Sequence, residues 1–255
     1  KKNVTTPKES KLEKTPQNDT FEMSVGYVND EHGQTNNMMR ILSGLKGDLR
    51  VSAGDNDIGD EKNKAVHRAT MKFMNVANIT ATALGNHELD TTQSDLMDSI
   101  EDFDGDILAT NVKQMELEDE DPEEVKELGR APLIKTLKHS KIVDVKGEKV
   151  GLVGASPIDM LDRLTHPNYH NDCSIDELED TIDDIQEEVD KMKEQGVNKI
   201  FLLSHLGHQK DQIVAQNTRD IDVIIGGHTH ELVKDIKEGE NLFYNEDGEP
   251  VVLTE

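Results

Sequence analysis

Gly-Asn-His-Glu at residues 85–88 and Gly-Gly-His-Thr-His at residues 226–230 each follow directly on a short apolar run, Ile79–Leu84 in one case and the stretch ending at Ile225 in the other. Three further clusters repeat the arrangement. Asn-Asp-Glu-His-Gly at 29–33 follows Met23–Val28, Ala-Gly-Asp-Asn at 53–56 closes the run Leu49–Ala53, and Ser-His-Leu-Gly at 204–207 follows Lys199–Leu203. Short apolar runs bounded by Gly and Asn read as buried strands. The five clusters therefore place Asp, Asn and His at strand ends, where an open α/β sheet collects its functional residues. Any one of these side chains alone could be a turn, a cap or a surface residue. Five polar clusters of one chemical type, all at strand ends, are hard to produce from packing needs.

Between the strands the sequence has helical periodicity. Thr35–Leu45 offers Met38, Met39, Ile41, Leu42 and Leu45. A helix over about 62–76 offers Val66, Met71, Phe73 and Met74, and Ser94–Phe103 follows the third strand. Ile107–Ala109 is another short strand, and Lys141–Val145 with Lys149–Gly154 reads as a hairpin around Lys146-Gly147-Glu148. The helix over 175–195 carries Leu178, Ile182, Ile185, Val189 and Met192 on one stripe. Ser174 and Glu177 match a capping box for it, and Gly196 matches a stop. That helix is for packing. Asp220–Ile225, Phe243–Tyr244 and Val251–Leu253 are the remaining strands. Residues 1–20 read as a disordered leader or linker, and the acidic run Glu116–Glu127 as a solvated insertion.

Composition narrows the chemistry. The 255 residues carry 28 Lys and Arg against 53 Asp and Glu, a formal charge of −25. A surface of that sign repels nucleic acid polymers and anionic membranes, and it repels phosphate esters too unless bound cations reverse the local sign. Aromatic residues make up 3% and Trp is absent, so the core is aliphatic. The single cysteine, Cys173, excludes an intrachain disulfide and a Cys-built zinc site. No apolar stretch approaches the roughly 20 residues of a transmembrane helix.

The spellings Asn-Asp-x-His-Gly, Ser-Ala-Gly-Asp-Asn, Gly-Asn-His-Glu-x-Asp and Ile-Ile-Gly-Gly-His-Thr-His resemble those of the calcineurin-like dimetal metallophosphoesterases, in particular the bacterial 5′-nucleotidase branch. The resemblance covers about residues 21–255, with all five blocks in family order. It implies an α/β fold of the four-layer α-β-β-α sandwich type with a metal site at the carboxyl ends of the strands. It also implies two divalent ions (Zn, Mn, Fe or Co) and hydrolysis of a small phosphate ester, foremost a nucleoside 5′-monophosphate, by a hydroxide shared between the metals. Asp30, His32 and His230 would hold one ion. Asn86, His205 and His228 would hold the other, and Asp55, with two carboxylate oxygens, would bridge them. His87 would stabilise the transition state or protonate the leaving alkoxide, oriented by Asp90. Glu88 would be a hydrogen-bonding residue beside the site. His208, three residues after His205, fits a surface role better than a supporting one, and His67, His139, His166 and His170 have no supporting context.

Family 5′-nucleotidases carry a second, C-terminal substrate-binding domain. The resemblance therefore implies that residues 21–255 are a catalytic domain truncated before its last strands and that second domain. It implies a periplasmic, cell-surface or secreted location as well. The same dimetal core would equally serve a cyclic-nucleotide phosphodiesterase or a UDP-sugar hydrolase. A non-catalytic metal-binding scaffold is the reading from another class, and it predicts lost ligands or a lost His87–Asp90 pair.

Overall fold

The computed structural model describes residues 20–57, 64–90, 93–114, 137–163, 173–233 and 235–255. The expected leader and the acidic insertion fall outside these residues, except for Thr20, as do His166 and His170.

The first half of the chain builds a five-stranded parallel sheet. Its strands are β1 (Val25–Val28), β2 (Leu49–Ser52), β3 (Ala81–Ala83), β4 (Asp106–Leu108) and β6 (Leu137–Lys138), in that spatial order. Helices α1 (Thr35–Gly44), α2 (Lys64–Val76) and α3 (Gln93–Ile100) make the crossovers. The second half builds a six-stranded sheet from β7 (Ser140–Val145), β8 (Glu148–Ala155), β10 (Ile200–Ser204), β11 (Val223–Ile225), β12 (Leu242–Tyr244) and β13 (Pro250–Thr254). The spatial order is β12-β13-β11-β10-β8-β7. Its four central strands are parallel, with antiparallel strands at both edges. Helices α4 (Leu178–Glu194) and α5 (His208–Asn217) belong to this half.

Three apolar cores separate four layers. Met71 and Met74 of α2 and Leu96 and Ile100 of α3 close over the outer face of the first sheet with Ile79 and Ile107. Val51, Ala81, Ala83 and Leu108 meet Val150, Leu152, Phe201, Leu203 and Ile225 between the two sheets. Ile185, Val189 and Met192 of α4 and Val214 of α5 cover Val153, Leu202 and Ile224 on the far side. The result is the α-β-β-α sandwich. Small residues (Ala81, Ala83) on β3 let the sheets approach closely, which a largely aliphatic core favours. Because the two sheets face each other with their parallel strands, the carboxyl ends of β1, β2, β3, β10 and β11 can deliver residues to a common edge.

One local expectation needs correction, and one helix carries almost no sequence signature. Ser174 is no cap: it lies in β9 (Cys173–Ile175), paired with Lys113 of β5 (Val112–Gln114) in a separate two-stranded sheet. The backbone there is extended, so α4 begins only at Leu178, with Glu177 in the cap position making no side-chain cap bond. The pairing that decides this joins Lys113 to Ser174, distant in sequence, and nothing local signals it. Helix α5 lacks the periodicity that marks the other helices. His-Gln-Lys-Asp-Gln-Ile-Val-Ala-Gln-Asn buries only Asp211, Val214 and Ala215, so it has almost no apolar stripe. The hairpin turn is as expected, with Lys146 at φ 53° and Gly147 at φ 85°, the left-handed pair of a two-residue type I′ turn.

Candidate metal centre

Asp30 and His32 lie in the loop that leaves β1, Asp55 in the loop after β2, Asn86 and His87 after β3, His205 at the end of β10, and His228 and His230 after β11. Five of these eight depart from ordinary backbone geometry. Asp30 (φ 54°), His32 (φ 50°), Asp55 (φ 51°), His228 (φ 82°) and His230 (φ 55°) are all left-handed without being glycine. A Cβ disfavours that region, so such residues persist only where surrounding bonds over-determine them, and they cluster at functional sites.

Those bonds are visible. The Asp30 and His32 backbone N–H groups donate to the carbonyls of Gly54 and Asp55 at 3.1 and 2.9 Å. The buried Glu88 carboxylate accepts from the backbone N–H groups of Asp55 (3.2 Å), Asn56 (2.8 Å) and Gly85 (2.9 Å), clamping the loops after β2 and β3 together. The Asn56 side chain bonds Ser52 Oγ and Thr82 Oγ1 within the same buried knot. Gly54, at φ 99°, packs so closely that a Cβ would lie 2.9 Å from His205 Nδ1. At Gly85 a Cβ would collide with Asp55 Oδ1.

The side chains then converge. Asp55 Oδ2 lies 2.9 Å from His205 Nε2, 3.8 Å from His32 Nε2 and 4.0 Å from His87 Nε2. Asp30 Oδ1 lies 3.3 Å from His230 Nε2 and 3.7 Å from both His32 Nε2 and His205 Nε2. Imidazole rings crowd one another: His32 is 4.6 Å from His87 and 5.1 Å from His230, and His205 is 5.1 Å from His228, centroid to centroid. Three sets of ligand atoms each fit around one point: Asp30, His32 and His230; Asp55, His205 and His228; and His32, Asp55 and His87.

Buried ligand atoms test whether this constellation suits a cation. His32 Nε2, His205 Nε2 and Asn86 Oδ1 are buried and have no hydrogen-bond partner among the described residues, although polar atoms at such depth are normally paired. His205 is the clearest. Its Nδ1 donates to the Ala53 carbonyl at 2.7 Å, so a neutral His205 ring carries its lone pair on Nε2, free to take a cation in place of a proton. That lone pair sits beside the Asp55 carboxylate, outside hydrogen-bond geometry. Two acceptors turned toward a shared point suit a cation between them, and imidazole, carboxylate and amide oxygen are donors that divalent transition metals accept.

Electrostatics agree. Burial opposes a charge on His205, yet Asp55, Asp30 and Glu88 drive its pKa up to about 9. Burial likewise favours protonation of Asp55, but His205 and the His87 backbone N–H hold its carboxyl below the usual range. The carboxylates thus draw positive charge to this place. Glu88, by contrast, is pushed up to about 7 by burial and by Asp55.

His87 stands apart from the other imidazoles. Its backbone N–H donates to Asp55 Oδ1 at 2.9 Å, and its Nδ1 bonds Asp90 Oδ2 at 2.5 Å across the short 3₁₀ turn His87–Leu89. Asp90 raises its pKa against the effect of burial. With Nδ1 engaged, Nε2 is the nitrogen that faces the cluster. His208 begins α5 and donates its backbone N–H to Thr229 Oγ1, while His139 lies far along the chain against Glu188. His67 lies on α2. Asp211, which sequence reading passed over, is buried and accepts from Ser204 Oγ at 2.5 Å, so it braces the strand end that carries His205. A polar residue one turn into a helix that follows a site residue was the available signal.

Known proteins show the same architecture. Residues 23–232 match the model of the calcineurin-like phosphoesterase family. A 5′-nucleotidase from Mus musculus is 34% identical over 163 residues, which covers 62% of this chain and 25% of that protein. A probable 5′-nucleotidase from Treponema pallidum is 28% identical over 241 residues, covering 84% and 38% respectively. The solved structure of the Haemophilus influenzae NAD nucleotidase superposes with a TM-score of 0.71 at 25% identity, over 91% of this chain and 44% of that one. The chain thus spans about a quarter to less than half of these proteins, yet the matched region contains every residue of the centre described above, and on that basis the chain belongs to the calcineurin-like phosphoesterase family.

Proposed function

We propose that this chain is the catalytic domain of a metal-dependent phosphomonoesterase acting on nucleoside 5′-monophosphates. The observation that carries the reading is the set of buried, unbonded ligand atoms on His32, His205 and Asn86 around the Asp30 and Asp55 carboxylates. In this reading Asp30, His32 and His230 hold one divalent ion, and Asn86, His205 and His228 hold the second. Asp55 serves both. When bound, such ions supply Lewis acidity, lower the pKa of water toward neutrality and offset phosphate charge. They also reconcile a −25 chain with an anionic substrate.

The remaining work falls to side chains. Asp90 fixes the His87 ring through Nδ1 and favours its protonated form. His87 Nε2 then donates a proton to the ester oxygen as the P–O bond to the nucleoside breaks, so that the nucleoside leaves as an alcohol and the oxygen of water stays on phosphorus. Glu88 and Asn56 hold the two loops so that His87 and Asp55 keep their spacing. The nucleotide preference draws its support from the 5′-nucleotidase relatives. The location we infer, outside the cytoplasm, rests on the resemblance to exported bacterial nucleotidases.

Metal content and hydrolysis of AMP and p-nitrophenyl phosphate, measured on the chain and on His87→Asn, test the reading. About two metals per chain, turnover of AMP and a large loss in the variant support it. Metals with turnover of a cyclic nucleotide or a UDP-sugar but not AMP would move the assignment to those substrates. Metals with no turnover of any of them would leave a binding scaffold.

A further inference from the structure

The loop that carries His228 and His230 is held from two sides. On one side the His228 backbone N–H donates to the Asp30 carboxylate at 3.0 and 3.1 Å. On the other lies Glu255, immediately after β13, the strand that pairs in parallel with β11. Its side chain is only 7% exposed although Thr229, His230 and Glu231 above it are exposed. Both carboxylate oxygens accept from Thr229 Oγ1, at 3.1 and 3.0 Å, and Oε1 also accepts the Glu231 backbone N–H at 3.0 Å. Thr229 Oγ1 in turn accepts the His208 backbone N–H at 3.3 Å, where α5 begins three residues after His205. One buried carboxylate therefore ties the loop after β11 to the loop after β10. Below it, the Gly226 N–H to Thr254 carbonyl bond of 2.7 Å fixes the base of the same loop.

We propose that Glu255 is a positioning residue for the metal centre: by gripping Thr229 and Glu231 it sets where His228 and His230 present their imidazoles and locks them to His205. The inference rests on the dimetal reading above. His228 and His230 both sit at positive φ, which a residue with a Cβ leaves when its tethers are cut. The Asp30 tether alone cannot do this work, because it holds the start of the loop and not Thr229 or Glu231. Glu255 touches no ligand nitrogen, so its effect runs through loop geometry.

The test is a titration of the EDTA-stripped full chain with Mn²⁺ and with Zn²⁺ by calorimetry, on the parent protein, Glu255→Ala, Glu255→Gln and Thr229→Val, with the apo melting temperature as a fold control. Glu255→Ala is expected to weaken metal binding about 10–100-fold, as loss of an outer partner does. Glu255→Gln keeps an acceptor for Glu231 and can donate to Thr229, so it should bind nearly as the parent does. Thr229→Val alters an exposed side chain and preserves the Glu231 bond, and it should give an intermediate loss with an unchanged apo melting temperature. That variant decides the matter even if Glu255→Ala fails to fold. Parental affinity in Thr229→Val, or in a folded Glu255→Ala, would overturn the proposal, and so would a Gln variant as weak as the Ala variant. A parent chain that binds neither metal would instead overturn the dimetal reading itself, and this inference with it.

Discussion

Asp55 touches the site through both carboxylate oxygens, Oδ1 taking the His87 backbone N–H and Oδ2 lying among His205, His32 and His87. Asp55→Asn keeps the shape but gives up the charge and one acceptor oxygen, so metal content should fall for both ions together and not for one. His87→Asn is different in kind: metal content should stay near the parental value while kcat falls about 10²–10⁴-fold, the usual worth of a positioned acid. Asp90→Asn should act through His87, lowering kcat about 10–100-fold with KM little changed. A parallel loss of metal in His87→Asn would place that imidazole among the ligands. The trio His32, Asp55 and His87 makes that alternative geometrically specific.

At the scale of elements, α4 shows how a packing stripe and an ion network divide the labour. Ile185, Val189 and Met192 are fully buried against the second sheet. Ile185→Ala should cost about 2–5 kcal/mol in denaturant unfolding, the range for a large aliphatic residue cut back in a packed core. On its flank Glu188 accepts Ser140 Oγ of β7 at 2.6 Å and Lys191 Nζ at 2.8 Å, with His139 Nδ1 at 3.6 Å. His139, then Lys191 and Ser140, hold the Glu188 carboxyl down to about 2 against the effect of burial. Its folded pKa lies below its ordinary value of 4.5, so its contribution is complete above that value and is lost as pH falls toward 2. Glu188→Gln should therefore lower the melting temperature at pH 6 and by much less at pH 2.5. The stripe was legible because period carries it. The network was not, since Ser140 and Glu188 are 48 residues apart. The same distinction explains why the stop at Gly196 (φ 79°) was readable and the start of α4 was misread: the glycine acts locally, whereas β9 is defined by its partner strand.

For the whole molecule, the legible part was whatever strand ends and short spellings record: the alternation of strands and helices, the sandwich class, and the residues that meet at its edge. The hairpin edge β7 was legible from its turn, but the strand order, the pairing of β5 with β9 and the brace Glu255 depend on contacts between distant segments that no local pattern encodes. The centre itself joins the two sheets, taking Asp30, His32, Asp55 and Asn86 from one and His205, His228 and His230 from the other. A ligand that binds only the folded protein stabilises it by about 2.7 kcal/mol at a hundred times its dissociation constant. Here that ligand would also relieve the repulsion between Asp30 and Asp55. Chelation with EDTA should then lower the melting temperature of the parent and leave Asp55→Asn unmoved.

The most direct measurement is the metal stoichiometry of the purified chain by inductively coupled plasma mass spectrometry, after loading with Mn²⁺ or Zn²⁺ and desalting. The geometry of Asp30, His32, Asp55, Asn86, His205, His228 and His230 predicts about two ions per chain. It also predicts that Asp55→Asn retains neither. A parent chain that retains no more metal than Asp55→Asn would contradict the account.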